Sequence, residues 1–407
     1  MKVTSYRSMD AITRLNRREF MRLGGVGVAA GAGLLLGRPP VWAAEGEVKR
    51  TPPPRAKTNI DEVRKTPRTA RSLPGAFPGK VVEVHDPKSM KDDAPVPEVV
   101  NAMFERGIRT LTGKGLPESF PLFFEPSDVV GIKVNPVGPG LISTRLEVVD
   151  AVVAWLKAGG VKPKNIIIWD RFDYMLTDAG FTAERYPGLG LEGLQTMDES
   201  YDPEKGNAGK WRDQKGVHLS RGNFDEKVFY WADVDAQKDE MYLNQHVVND
   251  KHSYFGKLVT QRLTKIINIP VFKNTGDGIS MATKNLGYGA ICNTGRLHRP
   301  LFFDVCTEVL AFPAIRDKLV LNITDGLRGQ YDGGPMPNAK FTWQYDRLFM
   351  ATDPFALDMV CHNLLVAKRK AMKVKVNEHP KYTEYLRYGE TLGLGVADPA
   401  KVKHLKA

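Results

Sequence analysis

From residue 80 onward the chain alternates between two hydrophobic periodicities. Short runs rich in β-branched residues are typical of strands, and they occupy residues 81–84, 129–134, 166–169, 263–271, 318–323 and 348–351. Apolar residues spaced three or four apart are typical of helices, and they occupy residues 96–111, 146–156, 302–310 and 354–368. Because strands and helices alternate, we predict an α/β fold, with a mostly parallel sheet and helices on both of its faces.

Three regions of the chain differ in composition. Residues 1–43 have the form of an export signal, residues 44–78 are rich in Pro and Arg without apolar periodicity, and residues 79–407 carry the α/β pattern. Within the last region, residues 183–260 lack sustained periodicity. We therefore expect a signal peptide, then a linker or an arm over the domain, and then one α/β domain whose irregular insertion could cover a site.

The first region has the features of a twin-arginine signal peptide. Arg17 and Arg18 precede Phe20, and an apolar, Gly- and Ala-rich run at 23–37 leads to small residues ending at Ala43. This run is shorter than the roughly 20 residues of a membrane-spanning helix. We expect the twin-arginine translocase as a partner, export of the folded chain, cleavage after Ala43, and a periplasmic or other extracytoplasmic location. An uncleaved membrane anchor is the alternative.

The formal net charge of +11 is concentrated near the start of the chain. Residues 1–43 carry seven basic and two acidic side chains, and residues 44–80 carry nine and four. Only +1 is left for the remaining residues, so the basic charge belongs to the predicted signal and linker. Nucleic-acid binding loses its main support, and we expect no nucleic-acid partner.

The three cysteines, Cys292, Cys306 and Cys361, are far apart and odd in number. They form neither a disulfide framework nor a Cys-x-x-Cys motif. A [4Fe-4S] cluster bound by four cysteines of this chain is excluded by their number. The sequence identifies no other cofactor and no metal.

The first candidate site joins the strand at 129–134 to the following helix. Lys133 and Asn135 stand at the end of the strand, and a Gly/Pro loop leads to Ser143 and Thr144. Thr144 and Glu147 have the spacing of a capping box. Backbone N–H groups, hydroxyl groups and the Lys133 ammonium would then surround an anion. The simpler interpretation is a capped helix after a tight turn.

The second candidate site is denser and follows the strand at 263–271. Lys273, Lys284, Asn285 and His298 lie within 26 residues of one another. Carboxyl ends of parallel strands are where open α/β sheets bind ligands. A lysine there can hold an anion or, if desolvated, act as a base, and a histidine can carry a proton. A structural role for the histidine is the alternative.

Two further segments contribute carboxylates. Asp325 and Asp332 lie in a segment that we predict to be a glycine-rich loop after a strand, where they could bind a hard cation, although Asp-Gly is also an ordinary turn sequence. Asp353 and Pro354 form a typical helix start, and Asp358 follows one turn later. We assign Asp325 a catalytic role and Asp358 a ligand-binding role.

The chain resembles the uncharacterised DUF362 family, and in particular its exported members with twin-arginine signals. The resemblance runs from about residue 81 to the C-terminus and rests on seven segments: 131–135, 165–171, 268–273, 283–287, His298, 324–326 and 353–358. Some members carry ferredoxin-type cysteine motifs, which this chain does not have. A looser similarity, at the level of fold only, is to lactate racemases, whose Lys and His residues serve a nickel-pincer cofactor.

We interpret these segments as one polar pocket at the carboxyl ends of the strands. The catalytic candidates are Lys273, Lys284, His298 and Asp325. The ligand-binding candidates are Lys133, Asn135, Ser143, Thr144, Asn285 and Asp358. The first hypothesis is an exported enzyme that binds an anionic small molecule or cofactor, of unknown reaction class. The alternative is a non-catalytic cofactor-binding or maturation factor for exported redox proteins, which would then have a redox partner.

Overall fold

The structure, a computed structural model, describes residues 55–202, 205, 207, 209–235, 245–299 and 301–407. The predicted signal peptide and the first part of the predicted linker lie outside the described residues. In the described part, the helices are α1 (Ile60–Val63), α2 (Pro97–Thr112), α3 (Leu116–Phe123), α4 (Leu146–Ala158), α5 (Asp173–Asp178), α6 (Ala282–Gly287), α7 (Asp304–Glu308), α8 (Pro313–Arg316), α9 (Pro354–Ala371) and α10 (Lys381–Thr391).

The strands of the same residues are β1 (Lys80–His85), β2 (Met90–Lys91), β3 (Ala94–Pro95), β4 (Val130–Lys133), β5 (Ile166–Phe172), β6 (Gly190–Gln195), β7 (Phe224–Trp231), β8 (His252–Gly256), β9 (Lys265–Asn268), β10 (Val271–Thr275), β11 (Gly278–Ile279), β12 (Leu319–Gln330), β13 (Thr342–Ala351) and β14 (Lys403–Lys406). None of the helices in the described residues is long and apolar enough to cross a membrane.

One mostly parallel sheet organises the chain, as the alternating pattern predicts. Its strand order is β14-β1-β13-β12-β9-β4-β5-β6, and β10 pairs with the second half of β12. The strands from β12 to β6 pair in parallel, whereas β13 runs antiparallel to both of its neighbours. The carboxyl ends of β4, β5, β9 and β12 therefore lie along one edge of the sheet, which confirms the α/β prediction.

Helices cover both faces of the sheet. Alternate strand residues on one face, such as Ile132, Ile168 and Ile267, pack with α2, α3 and α4. The other face presents Trp169, Ile266 and Leu319 to a core that includes residues of α6, α7, α8 and α10. Such strands are buried on both sides, which explains why their sequences are continuous apolar runs.

Residues 55–78 pack along the domain. Leu73 is fully buried, and its N–H donates to the Arg316 carbonyl at 2.8 Å. The Arg316 guanidinium in turn donates to the Pro67 carbonyl. At the start of this segment, Arg55 forms ion pairs with Asp304 at 3.0 Å and Glu308 at 2.7 Å. The segment thus has its own contacts with α7 and α8.

The region between residues 183 and 260 contributes both to the sheet and to a separate layer. Its first strand, β6, extends the sheet by pairing in parallel with β5. Its later strands, β7 and β8, form an antiparallel pair of their own. Beyond β8, the Cys292 N–H donates to the Tyr254 carbonyl, so this layer is hydrogen-bonded to the segment that follows α6.

Two details differ from the elements predicted above. The glycine-rich loop predicted from residue 324 is wrong in its first half, because β12 continues to Gln330 and pairs there with β13. The predicted strand at 263–271 is divided into β9 and β10 by a break at Ile269 and Pro270. Proline has no N–H to donate to the ladder, which favours an interruption at this point.

Candidate functional site

The site begins with a row of polar residues across three parallel strands. In the register of the sheet, Lys133 of β4 stands beside Asn268 of β9, which stands beside Asn322 of β12. Residues in register on parallel strands point to the same face, so their side chains meet. Asn268 Nδ2 donates to Asn322 Oδ1 at 2.9 Å and to the Ala282 carbonyl at 3.0 Å. The row is therefore bonded to the first residue of α6.

Asn285 of α6 lies over this row and binds Lys133. Its Nδ2 donates to Asn268 Oδ1 at 2.8 Å, and its Oδ1 accepts from Lys133 Nζ at 3.1 Å. Lys133 is 1% exposed and also donates to Asp170 Oδ1 and to the Val134 carbonyl. Burial lowers the pKa of Lys133, although the Asp170 carboxylate opposes that shift.

Lys273 is connected to the same network through Asn135. Lys273 Nζ donates to Asn135 Oδ1 at 2.8 Å, and Asn135 Nδ2 donates to Asn285 Oδ1 at 3.2 Å. Lys273 is also 1% exposed. Burial, reinforced by the positive charge of Lys284, lowers its pKa to about 7. A substantial fraction of the Lys273 side chain is therefore a neutral amine near neutral pH.

Lys284 and His298 are partly exposed and lie among aromatic rings. Lys284 Nζ is 5.1 Å from the centre of the Tyr288 ring and 5.3 Å from that of Phe302. The His298 ring centre lies 4.6 Å from that of Tyr288, and its Nδ1 is 2.9 Å from the Thr294 carbonyl oxygen. Burial lowers the pKa of Lys284. Burial and the charge of Lys284 lower the pKa of His298 to about 3, so its imidazole is neutral at neutral pH.

We refer to Lys133, Lys273 and Lys284 as the lysine cluster. In the described residues, one carboxylate lies within 4.0 Å of a lysine of this cluster. It belongs to Asp170, which pairs with Lys133. No described carboxylate lies that close to the ammonium groups of Lys273 and Lys284. Positive charge thus exceeds negative charge in a buried environment, where unpaired charges are costly.

Asp325 and Thr144 connect the loops beside the cluster. Asp325 accepts hydrogen bonds from the N–H groups of Arg145 at 2.7 Å and Leu327 at 3.1 Å. Thr144 Oγ1 accepts from Asn135 N at 2.8 Å and donates to the Ile269 carbonyl at 2.8 Å. The predicted capping box is therefore wrong, because Arg145 is the N-cap residue of α4 and the acceptor at this terminus comes from Asp325.

Asp358 binds the start of α6 from another helix. Its carboxylate accepts from Ala282 N and Thr283 N, both at 2.9 Å, and from Thr283 Oγ1 at 2.6 Å. Burial raises its pKa to about 6 in spite of these three donors. Asp358 therefore positions the helix that carries Lys284 and Asn285. Ser143 is buried in the neighbouring loop, where its carbonyl accepts from Arg145.

Asp325 and Asp332 do not share a hydrogen-bond partner. Asp332 pairs with Arg369 at 3.1 Å, and the same guanidinium pairs with Asp277 at 2.8 Å. Arg369 thereby connects the loops that follow β10 and β12. In the part of the chain that the structure describes, no group of three or more His, Cys, Asp or Glu side chains is arranged to hold a metal ion.

Three residues of the site had no assigned role in the predictions from sequence. Asp170 binds Lys133 of the cluster, and Asn268 binds Asn285, which in turn binds Lys133. Arg171 donates to Gln195 Oε1 at 2.8 Å and to Thr294 Oγ1, and its charge contributes to the lowered pKa of His298. The signal for Asp170 and Arg171 is their position at the carboxyl end of β5, the neighbour of β4.

The fold and site together define an α/β protein with a buried, positively charged network at the carboxyl ends of its parallel strands. Residues 231–363 match the family described as a domain of unknown function, DUF362. This range is about a third of the chain, and it includes Lys273, Lys284 and His298 but not Lys133 or Asp170. Neither the curated proteins nor the solved structures compared with the chain gave a match.

Proposed function

We propose that the chain is an enzyme that binds an anionic small molecule at the lysine cluster. The observation that carries this proposal is the excess of ammonium groups over carboxylates within the lysine cluster, where Asp170 pairs with Lys133 and no described carboxylate lies within 4.0 Å of Lys273 or Lys284. Repulsion between Lys284 and Lys273 contributes to the lowered pKa of Lys273. An anion such as a carboxylate or a phosphate would relieve this repulsion and supply the missing counter-charge.

The side chains divide into two groups in this proposal. Lys284 and His298, which are partly exposed, contact the ligand, and Lys273 accepts or donates a proton because its pKa of about 7 is close to neutral pH. Asp325 and Asp358 position the surrounding loops and α6 through the backbone N–H groups that they bind. Lys133, Asn135 and Asn285 hold the cluster together.

Binding of simple anions to purified protein tests this proposal. Calorimetric titrations with pyruvate, citrate and inorganic phosphate should give saturable binding for at least one of them. Lys284→Met should weaken that binding about tenfold or more, because it removes an ammonium group that has no carboxylate partner. Lys164→Met, at an exposed lysine, is the matched control. Equal binding by the wild type and by Lys284→Met would contradict the proposal.

Turnover is tested by two substitutions at the partly exposed residues. Once a ligand is known, Lys284→Ala and His298→Ala should abolish its conversion while changing the unfolding midpoint little. Circular dichroism and thermal melting of both variants provide the necessary check. If both variants unfold, the polar residues are structural and the enzyme hypothesis fails.

A second candidate function is a non-catalytic cofactor-binding or maturation factor for exported redox proteins. The same lysine cluster would serve a ligand that is held rather than turned over, because no described carboxylate lies within 4.0 Å of the ammonium groups of Lys273 and Lys284. Native mass spectrometry and elemental analysis should then find a bound molecule or metal in protein purified without added ligand. If neither measurement finds a bound molecule or metal, this alternative is contradicted.

We also propose that the chain is exported in the folded state by the twin-arginine translocase. The support is the sequence of residues 1–43, with Arg17 and Arg18 ahead of a short apolar run. Replacing both arginines by lysine should leave the chain in the cytoplasm, whereas Arg38→Lys, in the same segment, should not. Fractionation of cells that express each version measures the difference, and unchanged export of the double variant would exclude this route.

A further inference from the structure

Lys273 differs from the other buried lysines in the partner that it has. Its Nζ donates to the neutral amide oxygen of Asn135, whereas Lys133 donates to Asp170 and the buried Lys265 donates to Asp128 at 3.0 Å. In addition, two other ammonium groups, those of Lys133 and Lys284, repel a proton on Lys273. Both features favour a neutral amine, which is the nucleophilic form of lysine.

We propose that the Lys273 amine forms an imine with the carbonyl group of an oxo acid whose carboxylate is bound by Lys284. This inference rests on the proposed anion site and specifies its substrate class. Lys284 is suited to the carboxylate because it is partly exposed and has no described carboxylate partner within 4.0 Å. Arg171 adds further positive charge on the side of His298.

The reaction is balanced without an oxidant or a reductant. The Nζ lone pair adds to the carbonyl carbon, and a C–N bond forms. The carbonyl oxygen then leaves as water, so that the amine, the carbonyl compound and one proton from solvent give a protonated imine and water. Asn135 accepts a hydrogen bond from the amine and orients its lone pair. His298 Nδ1 is bonded to the Thr294 carbonyl, so in this proposal neutral His298 exchanges a proton with the departing oxygen through Nε2.

The experiment traps the imine in the whole purified protein. Wild-type protein is incubated with pyruvate and sodium cyanoborohydride, which reduces an imine to a stable secondary amine. Intact-mass measurement should show one pyruvate adduct per chain, and peptide mapping should place it on Lys273. Lys265, which is equally buried but paired with a carboxylate, is the internal control and should stay unmodified. Trapping should become faster as the pH rises through about 7, following the pKa of Lys273.

Two comparisons test the roles of the side chains. Lys273→Met removes the primary amine, so the adduct should disappear, and because it also removes a buried charge the melting temperature should not fall below that of the wild type. Lys284→Met should slow trapping of pyruvate about tenfold or more relative to trapping of acetone, which has no carboxylate. Acetone is the reference because loss of the Lys284 charge also raises the pKa of Lys273 and so slows both reactions. Equal loss with both carbonyl compounds would overturn the role given to Lys284.

The outcomes separate this inference from the proposed function. An adduct on Lys273 that requires a carboxylate supports both. Saturable binding of pyruvate in the calorimeter without any adduct on Lys273 overturns the imine and leaves the anion site intact. Modification that is spread over surface lysines, or equal at Lys265 and Lys273, also overturns the imine. If pyruvate, citrate and phosphate all fail to bind and no adduct forms, both proposals fail.

Discussion

Two buried lysine–aspartate pairs lie at opposite ends of the parallel strands. Lys265 begins β9 and pairs with Asp128 at 3.0 Å, whereas Lys133 ends β4 and pairs with Asp170. All four side chains are less than 10% exposed. The residue types and the burial are the same, so the differences between the pairs come from their surroundings.

At the amino end of the strands, the charges of the pair balance each other, and we call this pair closed. Asp128 accepts two further hydrogen bonds, from Thr264 Oγ1 at 2.7 Å and from Glu125 N at 2.8 Å. These bonds and Lys265 lower the pKa of Asp128 although burial alone would raise it. A cavity of about 120 Å³ adjoins Lys265, and it is lined by apolar residues such as Phe123 and Leu319 together with Arg71 and Glu125, which pair with each other at 3.0 Å. The positive charge of Lys265 is therefore balanced by the negative charge of Asp128, and the pair has no net charge.

At the carboxyl end of the strands, positive charge exceeds negative charge around the pair, and we call this pair open. Lys133 shares its ammonium between Asp170 and Asn285, and Lys273 and Lys284 add positive charge without adding a carboxylate. A buried ion pair by itself is therefore weak evidence of function in this protein, since the sheet contains one at each end. What distinguishes the two ends is the balance of charge around the pair.

The largest expected effect comes from removing each carboxylate. Asp128→Ala and Asp170→Ala each leave a lysine buried without its ion-pair partner, so each should lower the free energy of unfolding by about 3–5 kcal/mol. Inorganic phosphate should restore part of the loss in Asp170→Ala only, because that end alone has an anion site in our proposal. Urea unfolding with and without phosphate measures both effects, and equal rescue of the two variants would contradict the comparison.

Removing the charge of Lys273 should stabilise the fold. Its pKa of about 7 in the folded state is lower than the usual 10.5, so the unfolded chain binds more protons between pH 7 and 10.5. The contribution of Lys273 to the stability of the wild type should therefore rise with pH across that window and stay constant below it. Lys273→Met should gain about 2–4 kcal/mol at pH 7, and its advantage should shrink towards pH 10.

Guanidinium unfolding of wild type and Lys273→Met between pH 6 and 10 measures this dependence. Lys164→Met is the control at an exposed position and should change the free energy of unfolding by less than about 0.5 kcal/mol at every pH. A destabilised Lys273→Met with an unchanged pH dependence would show that the hydrogen bond to Asn135 outweighs the cost of burying the charge.

A smaller effect is expected at Asp358. Asp358→Asn keeps one acceptor oxygen for the start of α6 but loses the second, so it should cost about 1–2 kcal/mol. Because α6 carries Lys284, anion binding should weaken as well, although Asp358 lies outside the cluster. Thermal melting and calorimetry together measure the two effects. Loss of stability with unchanged binding would show that α6 holds its position without this carboxylate.

The smallest change in stability is expected when the excess positive charge at the carboxyl end is balanced by an added carboxylate. Asn135→Asp gives Lys273 a carboxylate partner at the position of the present 2.8 Å hydrogen bond. The new attraction is offset by the loss of the hydrogen bond that Asn135 Nδ2 donates to Asn285 Oδ1, so the free energy of unfolding should change by less than about 1 kcal/mol. It should nevertheless raise the pKa of Lys273 by roughly 1–3 units. The pH dependence of Lys273 modification measures that shift, and an unchanged midpoint would contradict it.

The order of strands and helices followed from the sequence because their periodicity is local. Lys273 and Lys284 could be assigned to the carboxyl edge for the same reason, since each follows a recognisable strand. The hydrogen-bond network that connects these residues could not be predicted from the sequence. The bond from Asn268 to Asn322, for example, depends on the register of the strands, which the sequence does not give. Thr144 shows the same limit: it does not cap α4, because the N–H of Arg145 donates to Asp325, which is 180 residues away from Arg145 in the chain.

The break between β9 and β10 has a consequence for how this architecture can vary. The two carbonyl groups at the break accept bonds from outside their own strand: Thr144 Oγ1 donates to Ile269, and Asp325 N donates to Pro270. Two segments that are distant in sequence are thus bonded to one dipeptide, which ends three residues before Lys273. The segments at this edge therefore cannot be exchanged independently. Replacing one of them with that of a relative would require the other segment and the dipeptide to change with it.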